Sequence, residues 1–320
     1  MRSAAMTGLL GLPALALLPQ LALAAPNVVV SIKPIHSLVA GVMQGVGVPA
    51  LIVEGAASAH TYNLKPSNAR NLEQADLVVW VGHGMEAFLE KPLETLGGGA
   101  TILTLEDAPG LTHLAFRDGG SFEPEAEDAH DHETEAGGAA HDDHDADPHG
   151  YDTHLWLDPM NAKAMTADIA RTLVRLDPDN AATYEKNAAA MEASLDTLNA
   201  QIARAVAPIK DKPFIVFHDA YHYFEHRYGL YVAGSVTVSP EVMPGAERVR
   251  EIQDKIARHG AACVFAEPQF NSKLIDVVAE GTDARGGVLD PLGADLNPGP
   301  ALYPQLMRNL AKSLVACLGS

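Results

Sequence analysis

The stretch DPDNAATYEKNAAAMEASLDTLNAQIARAVAP, residues 177–208, decides how this chain is organised. Tyr184, Ala188, Met191, Leu195, Leu198, Ile202 and Val206 recur at spacings of three and four and draw one apolar face along a helix. Asp177-Pro178 offers a cap residue followed by proline at the first helical position, and Pro208 marks the end. At ~1.5 Å per residue the segment reaches roughly 45 Å, too long to lie within one small lobe. It reads as a rigid strut between two lobes; a long amphipathic helix lying on one large domain is the alternative.

On either side of the strut, short apolar runs alternate with helix-like stretches, the pattern of parallel sheets covered by helices. Strand candidates at residues 28–32, 76–81 and 101–105 precede it, and candidates at 214–217, 231–236, 262–265 and 287–289 follow it. A second cap, Asp158-Pro159, opens the helix before the strut, with Met165, Ile169, Leu173 and Leu176 as its buried stripe. The expected fold is α/β in two lobes, residues 25–176 and 209–320, each a parallel β-sheet flanked by helices. One long backbone helix, 177–208, joins them.

Residues 1–24 have the form of a secretory signal: Arg2, an apolar run over 9–23, and the small-x-small site Ala22-Leu23-Ala24. The run is too short and too broken for a membrane span. No cysteine lies near the cleavage point to carry a lipid, so a free periplasmic protein starting near Ala25 is expected. Roughly 295 residues then remain, enough for two lobes. Cys263 and Cys317 lie in an exported chain, where the redox environment favours pairing over two buried thiols.

The net charge of −19 sets nucleic acid and anionic membranes aside as partners. Much of the acidity falls in residues 123–147, interleaved with His130, His132, His141 and His144, and His149 follows. Gly137, Gly138 and a run of alanines break any core-facing pattern, so residues 117–150 read as a mobile loop. Its histidines are candidates for a second, weaker metal site; a passive solvated spacer is the other reading.

Four candidate ligands stand around strand ends and before helices, where open α/β proteins present their binding groups. His60 precedes the helix start at Pro66-Ser67, and His154 precedes the Asp158-Pro159 cap. His218 ends the run 214–217, and Asp290 ends 287–289. Three neutral imidazoles and a carboxylate suit tetrahedral Zn²⁺, whereas Mn²⁺ would draw more oxygen. Taken singly, a histidine beside an apolar strand is more often a hydrogen-bonded or surface residue than a ligand. A rival constellation, His222-Tyr223-Phe224-Glu225-His226, matches the H-x-x-E-H pattern of inverted zincin peptidases, with Glu225 as general base. Tyr221, Tyr223, Phe224 and Tyr228 crowd that segment and look instead like packing for a short helix.

Six stretches carry a resemblance: Ser31-Ile32-Lys33-Pro34-Ile35-His36-Ser37-Leu38, Ala59-His60-Thr61-Tyr62-Asn63-Leu64-Lys65-Pro66-Ser67, His154-Leu155-Trp156-Leu157-Asp158-Pro159, Phe217-His218-Asp219-Ala220-Tyr221, Ala266-Glu267-Pro268-Gln269-Phe270 and Leu289-Asp290-Pro291-Leu292-Gly293. In this order they resemble the metal-binding solute receptors of ABC transporters, specifically the periplasmic zinc-binding receptors of the ZnuA type. The resemblance implies a metal in the cleft between the lobes, with His60, His154 and His218 as ligands. It implies Asp290 or water in the fourth place, because Ala59 stands where some relatives carry a carboxylate. Manganese-binding relatives usually place a carboxylate at the third histidine, so His218 favours zinc.

The histidine-rich insertion resembles the variable loop of the zinc branch, and Cys263 with Cys317 resembles its C-lobe disulfide. The implied function is a monomeric receptor, not an enzyme, that captures Zn²⁺ and delivers it to a membrane permease driven by a cytoplasmic ATPase. A zinc buffer or adhesin without a transporter, or a manganese receptor, uses the same site and stays open from the sequence.

Overall fold

The structure, a computed structural model, describes residues 25–117, 150–237, 240 and 244–319. The expected signal at 1–24 and the insertion holding His130, His132, His141, His144 and His149 lie outside the described residues.

Two sheets of four strands form the framework. In the first, β1 (Val28–Val30), β2 (Ala50–Leu51), β3 (Leu77–Trp80) and β4 (Thr101–Thr104) run parallel in the order β2-β1-β3-β4. Helices α1 (Lys33–Val42), α2 (Pro66–Glu73), α3 (Glu90–Leu96) and α4 (Pro159–Leu176) belong to this half, followed by the connecting α5 (Ala181–Val206). The second sheet holds β5 (Phe214–His218), β6 (Val232–Thr237), β7 (Cys263–Ala266) and β8 (Arg285–Val288), parallel in the order β6-β5-β7-β8. Helices α6 (His222–Tyr228), α7 (Ala246–His259), α8 (Lys273–Ala279) and α9 (Leu302–Leu318) complete that half. The inner strands β1, β3, β5 and β7 are wholly buried, as parallel sheets with both faces covered require. The edge strand β2 has only two residues, too few to leave a pattern in the sequence.

Helix α5 buries Tyr184, Ala188, Leu195, Leu198, Ile202 and Val206 of the stripe its spacing predicts, and Met191 is half-buried beside them. Its 26 residues pack on α1 and α4 of the first half and on α9 of the second. The start differs from the expected cap. Pro178–Asn180 form a tight 3-10 turn, and the Asp177 carboxylate reaches forward to accept from Asn180 Nδ2 at 2.8 Å and Tyr184 Oη at 2.7 Å. Helix α4 opens as predicted: Pro159 is its first residue, and Asp158 Oδ1 accepts the Met160 N–H at 2.8 Å.

The two halves share an interior. Val30, Leu38, Trp156 and Leu173 belong to the same buried cluster as Phe214, Leu289, Tyr303 and Leu314, and a smaller cluster around Ile215, Val236, Ile252 and Val264 fills the second half. Polar contacts reinforce this junction. Trp156 Nε1–H donates to the Pro291 carbonyl at 2.9 Å, and Tyr303 Oη donates to the Trp156 carbonyl at 2.7 Å. The Lys33 ammonium, buried at the start of α1, donates to the carbonyls of Gly293, Ala294 and Leu296 at 2.9, 2.7 and 3.1 Å. Three acceptors offset the desolvation of that charge.

A disulfide joins Cys263, the first residue of β7, to Cys317 near the end of α9, 54 positions away. A loop of that size raises stability by about 4 kcal/mol in the chain-entropy model. A C263S/C317S double variant is therefore expected to melt about 8 °C lower while keeping its zinc affinity. Unchanged melting would show that the bond constrains little. Among the described residues, no helix is long and apolar enough to cross a membrane.

Candidate metal centre

His218 is the last residue of β5, beside β7, at the point where the strand order of the second sheet reverses. Open parallel sheets form their ligand crevice at such points. His60 comes from the irregular segment between β2 and α2. His154 immediately precedes the 3-10 turn Leu155–Leu157 that leads into α4. The structure brings these three together, with one ligand atom of each within 4.8 Å of the others.

The spacing within the trio suits one ion. His60 Nε2 and His218 Nε2 each lie 3.3 Å from His154 Nε2. Two nitrogens bound at ~2.0–2.1 Å to a tetrahedral ion are about 3.3–3.4 Å apart. His154 and His218 are 7% and 4% exposed, and His60 is half-buried. The cavity beside them measures about 10 Å³ and is also walled by Met85, Trp156, Phe270 and Leu292. That space admits an ion or a water and excludes an organic solute.

Two carboxylates set the protons. His154 Nδ1 lies 2.7 Å from Asp152 Oδ1, and His218 Nδ1 lies 2.8 Å from Glu267 Oε1. Carboxylate oxygens accept, which assigns the proton to each Nδ1 and leaves each Nε2 with a lone pair facing the cavity. Lone pairs that converge at this distance repel unless a cation or a shared proton lies between them. His60 has no such partner among the described residues; its backbone N–H donates to Ser58 Oγ at 3.3 Å.

Burial, and then the neighbouring histidines, hold His60 well below the ordinary imidazole range. Burial, followed by His218, does the same to His154. Burial pulls His218 down most strongly, but the charge and hydrogen bond of Glu267, with the charges of Asp219 and Asp152, together outweigh it and raise this group. Asp152, enclosed by the same packing, is pushed up to about 7, chiefly by burial. In the metal-free site, the proton is therefore retained longest at His218.

Asp290 stands outside the trio. Its Oδ1 accepts from Gln269 Nε2 at 2.9 Å and from the amides of Leu292 and Gly293 at 3.1 and 2.9 Å. Its Oδ2 accepts from the Ala294 amide at 2.6 Å. The rival His222, Glu225 and His226 fall on α6. Glu225 is held there by the Arg117 guanidinium at 2.7 and 3.0 Å, and Arg117 also pairs with Asp219. His226 is exposed, and the trio is the one metal-capable group of three or more found among the described residues.

Sequence reasoning gave no role to Asp152 or Glu267. The available signal was position: Glu267 is an acid one residue beyond β7, and Asp152 lies two residues before His154.

The model of the family described as ZnuA, zinc-uptake complex component A, periplasmic, matches residues 28–317. The high-affinity zinc uptake system protein ZnuA of Brucella abortus (strain 2308) is 54% identical over 310 residues, which cover 91% of this chain and 91% of that protein. The protein of the same description from Yersinia pestis is 38% identical over 297 residues, 92% of each chain. A crystal structure of ZnuA superposes with a TM-score of 0.72 at 26% identity, covering 91% of this chain and 99% of the other. The periplasmic zinc-binding protein TroA from Treponema pallidum shares the fold, with a TM-score of 0.73 at 19% identity over 92% of this chain and 99% of its own.

Proposed function

The chain belongs to the ZnuA family of periplasmic zinc-uptake components, and from that premise we propose that His60, His154 and His218 together ligate the Zn²⁺ it carries. The protein is a zinc-binding receptor for zinc uptake and not an enzyme. Membership also implies association with the permease and ATPase of an ABC transporter. The observation that carries the ligand assignment is the pair of 3.3 Å Nε2 separations, which leave room for one ion and little else.

Several finer points belong to this reading. Residues 1–24 act as the removable export signal, the mature chain works as a monomer, and the lobes meet at the helix over 177–208. The fourth position goes to water or to Asp290, which would have to release hydrogen bonds from Gln269 and the amides that follow it. A D290N variant separates the two: zinc binding weakens about tenfold or more where the carboxylate coordinates and changes little where water does. The histidines of the acidic insertion raise local zinc concentration in this scheme. Deleting residues 117–150 then slows loading, and unchanged loading and stoichiometry remove the role.

Acidification tests the ligand chemistry. Zinc needs all three imidazoles unprotonated, so the metal-free protein binds more protons than the loaded one at low pH. Affinity is therefore greatest at high pH and falls as the pH drops through the imidazole range. His218 takes up its proton first, because it is raised while His60 and His154 are lowered. Competition with a chelator is expected to show binding at least tenfold weaker at pH 5.5 than at pH 7.5, taking about tenfold per pH unit for each proton displaced. Equal affinity at the two values rules out a three-imidazole site.

A further inference from the structure

We propose that Asp152 and Glu267 are positioning residues of the zinc site, fixing the ring orientation and tautomer of His154 and His218 so that each Nε2 lone pair points at the ion before it arrives. The proposal rests on the ligand assignment above.

The geometry is the same on both sides of the cleft. His154 and His218 each donate Nδ1–H to a carboxylate oxygen, at 2.7 Å in the first lobe and 2.8 Å in the second. Each carboxylate also faces the backbone amide of the histidine it serves. His154 N–H donates to Asp152 Oδ1 at 2.9 Å, and His218 N–H approaches Glu267 Oε1 at 3.4 Å. Asp152 and Glu267 are 3% and 2% exposed, and each has a second oxygen that is buried without a hydrogen-bond partner. Burying two such carboxylates works against stability, because desolvation costs several kcal/mol per ion. Their retention is explained when each serves an imidazole that a dication polarises: metal-bound histidines commonly give their other N–H to a carboxylate, which raises ligand basicity.

The sheet accounts for the second pair. His218 ends β5, Glu267 follows β7, and these strands are hydrogen-bonded neighbours in the sheet. The register of those strands, Phe214 beside Cys263 and Ile215 beside Val264, sets His218 opposite Glu267 when carried three residues further. Asp152 reaches His154 across two residues of chain, and the Tyr223 hydroxyl of α6 anchors that segment by donating to the Asp152 carbonyl at 2.7 Å. Among the described residues His60 has no equivalent orienting group, so two of the three ligands are fixed in advance and the third completes the shell.

The test compares Glu267→Leu, Glu267→Gln, Asp152→Leu and Asp152→Asn with His154→Ala and His218→Ala in the full mature chain. Zinc affinity is measured by chelator competition, and histidine tautomers by ¹⁵N NMR of the metal-free protein. The leucine variants are expected to bind zinc about 10–100-fold more weakly, and their partner histidines to lose the pure Nδ1–H tautomer. The amides, which retain an accepting oxygen but lose the charge, are expected to keep the tautomer and bind zinc about tenfold more weakly. Leucine variants with unchanged affinity and tautomer, alongside histidine variants that lose zinc, overturn the positioning role alone. Histidine variants that retain zinc overturn the ligand assignment instead. Should a leucine variant fail to fold, its amide counterpart decides: wild-type zinc affinity overturns the role, and a loss with the tautomer preserved supports it.

Discussion

His154→Ala is expected to weaken zinc binding by about two to three orders of magnitude while the metal-free protein keeps its fold. A four-ligand structural zinc site is worth ~10–16 kcal/mol at neutral pH, so one ligand carries roughly 2.5–4 kcal/mol, or about 10²–10³ in affinity. His154 is the central member of the trio, since both Nε2 separations of 3.3 Å converge on it. Removing it also leaves Asp152 buried without the imidazole it serves. His226, exposed on α6, provides the control: His226→Ala should leave affinity within about twofold, as surface changes away from a site generally do. Titration of both variants against a chelator of known strength makes the comparison. The opposite ranking would revive the H-x-x-E-H segment as the metal site.

Trp156→Ala has the largest expected effect on stability. The indole is fully buried, its N–H donates to Pro291 of the second half, and its own carbonyl accepts from Tyr303 on α9. Its ring centroid lies 5.4 Å from that of His154, so it also walls the metal cavity. Truncating a buried tryptophan costs about 3–5 kcal/mol, and the Pro291 carbonyl would lose its donor as well. Melting should fall by about 10 °C, and zinc affinity should decline because His154 loses the surface it rests on. Trp156→Phe, which keeps most of the apolar volume, should fall between the two. A Trp156→Ala protein that melts like the parent would mean the junction between the halves is held elsewhere.

The strands and strut were readable because both leave periodic traces. Seven apolar runs predicted seven of the eight strands, and the three-four spacing from Tyr184 to Val206 predicted the buried face of α5. What remained hidden depends on tertiary placement. Strand β2 is too short to show a period. Asp177 matches a helix cap in sequence, yet its carboxylate is drawn toward Tyr184 once the proline turn forms.

The site divides in the same way. His60, His154 and His218 stand at element ends, which a linear reading can find, and the resemblance ties them to one ion. Asp290 stands at an element end too, but it is followed by Pro291-Leu292-Gly293, a turn sequence in which a short carboxylate turns back on the amides after it. That local competition cannot be weighed without coordinates. Glu267 and Asp152 were overlooked because a buried carboxylate is identified only by what surrounds it.

The apolar interior that runs from Val30 through Trp156 to Leu314 restricts how cargo can leave. Swinging the halves apart like jaws would wet that seam, and exposing ~300 Å² of it would cost about 7 kcal/mol. Release of cargo by such an opening is therefore disfavoured. The same continuity makes the two halves one cooperative unit: a calorimetric scan should show a single peak, and neither half expressed alone should hold its shape.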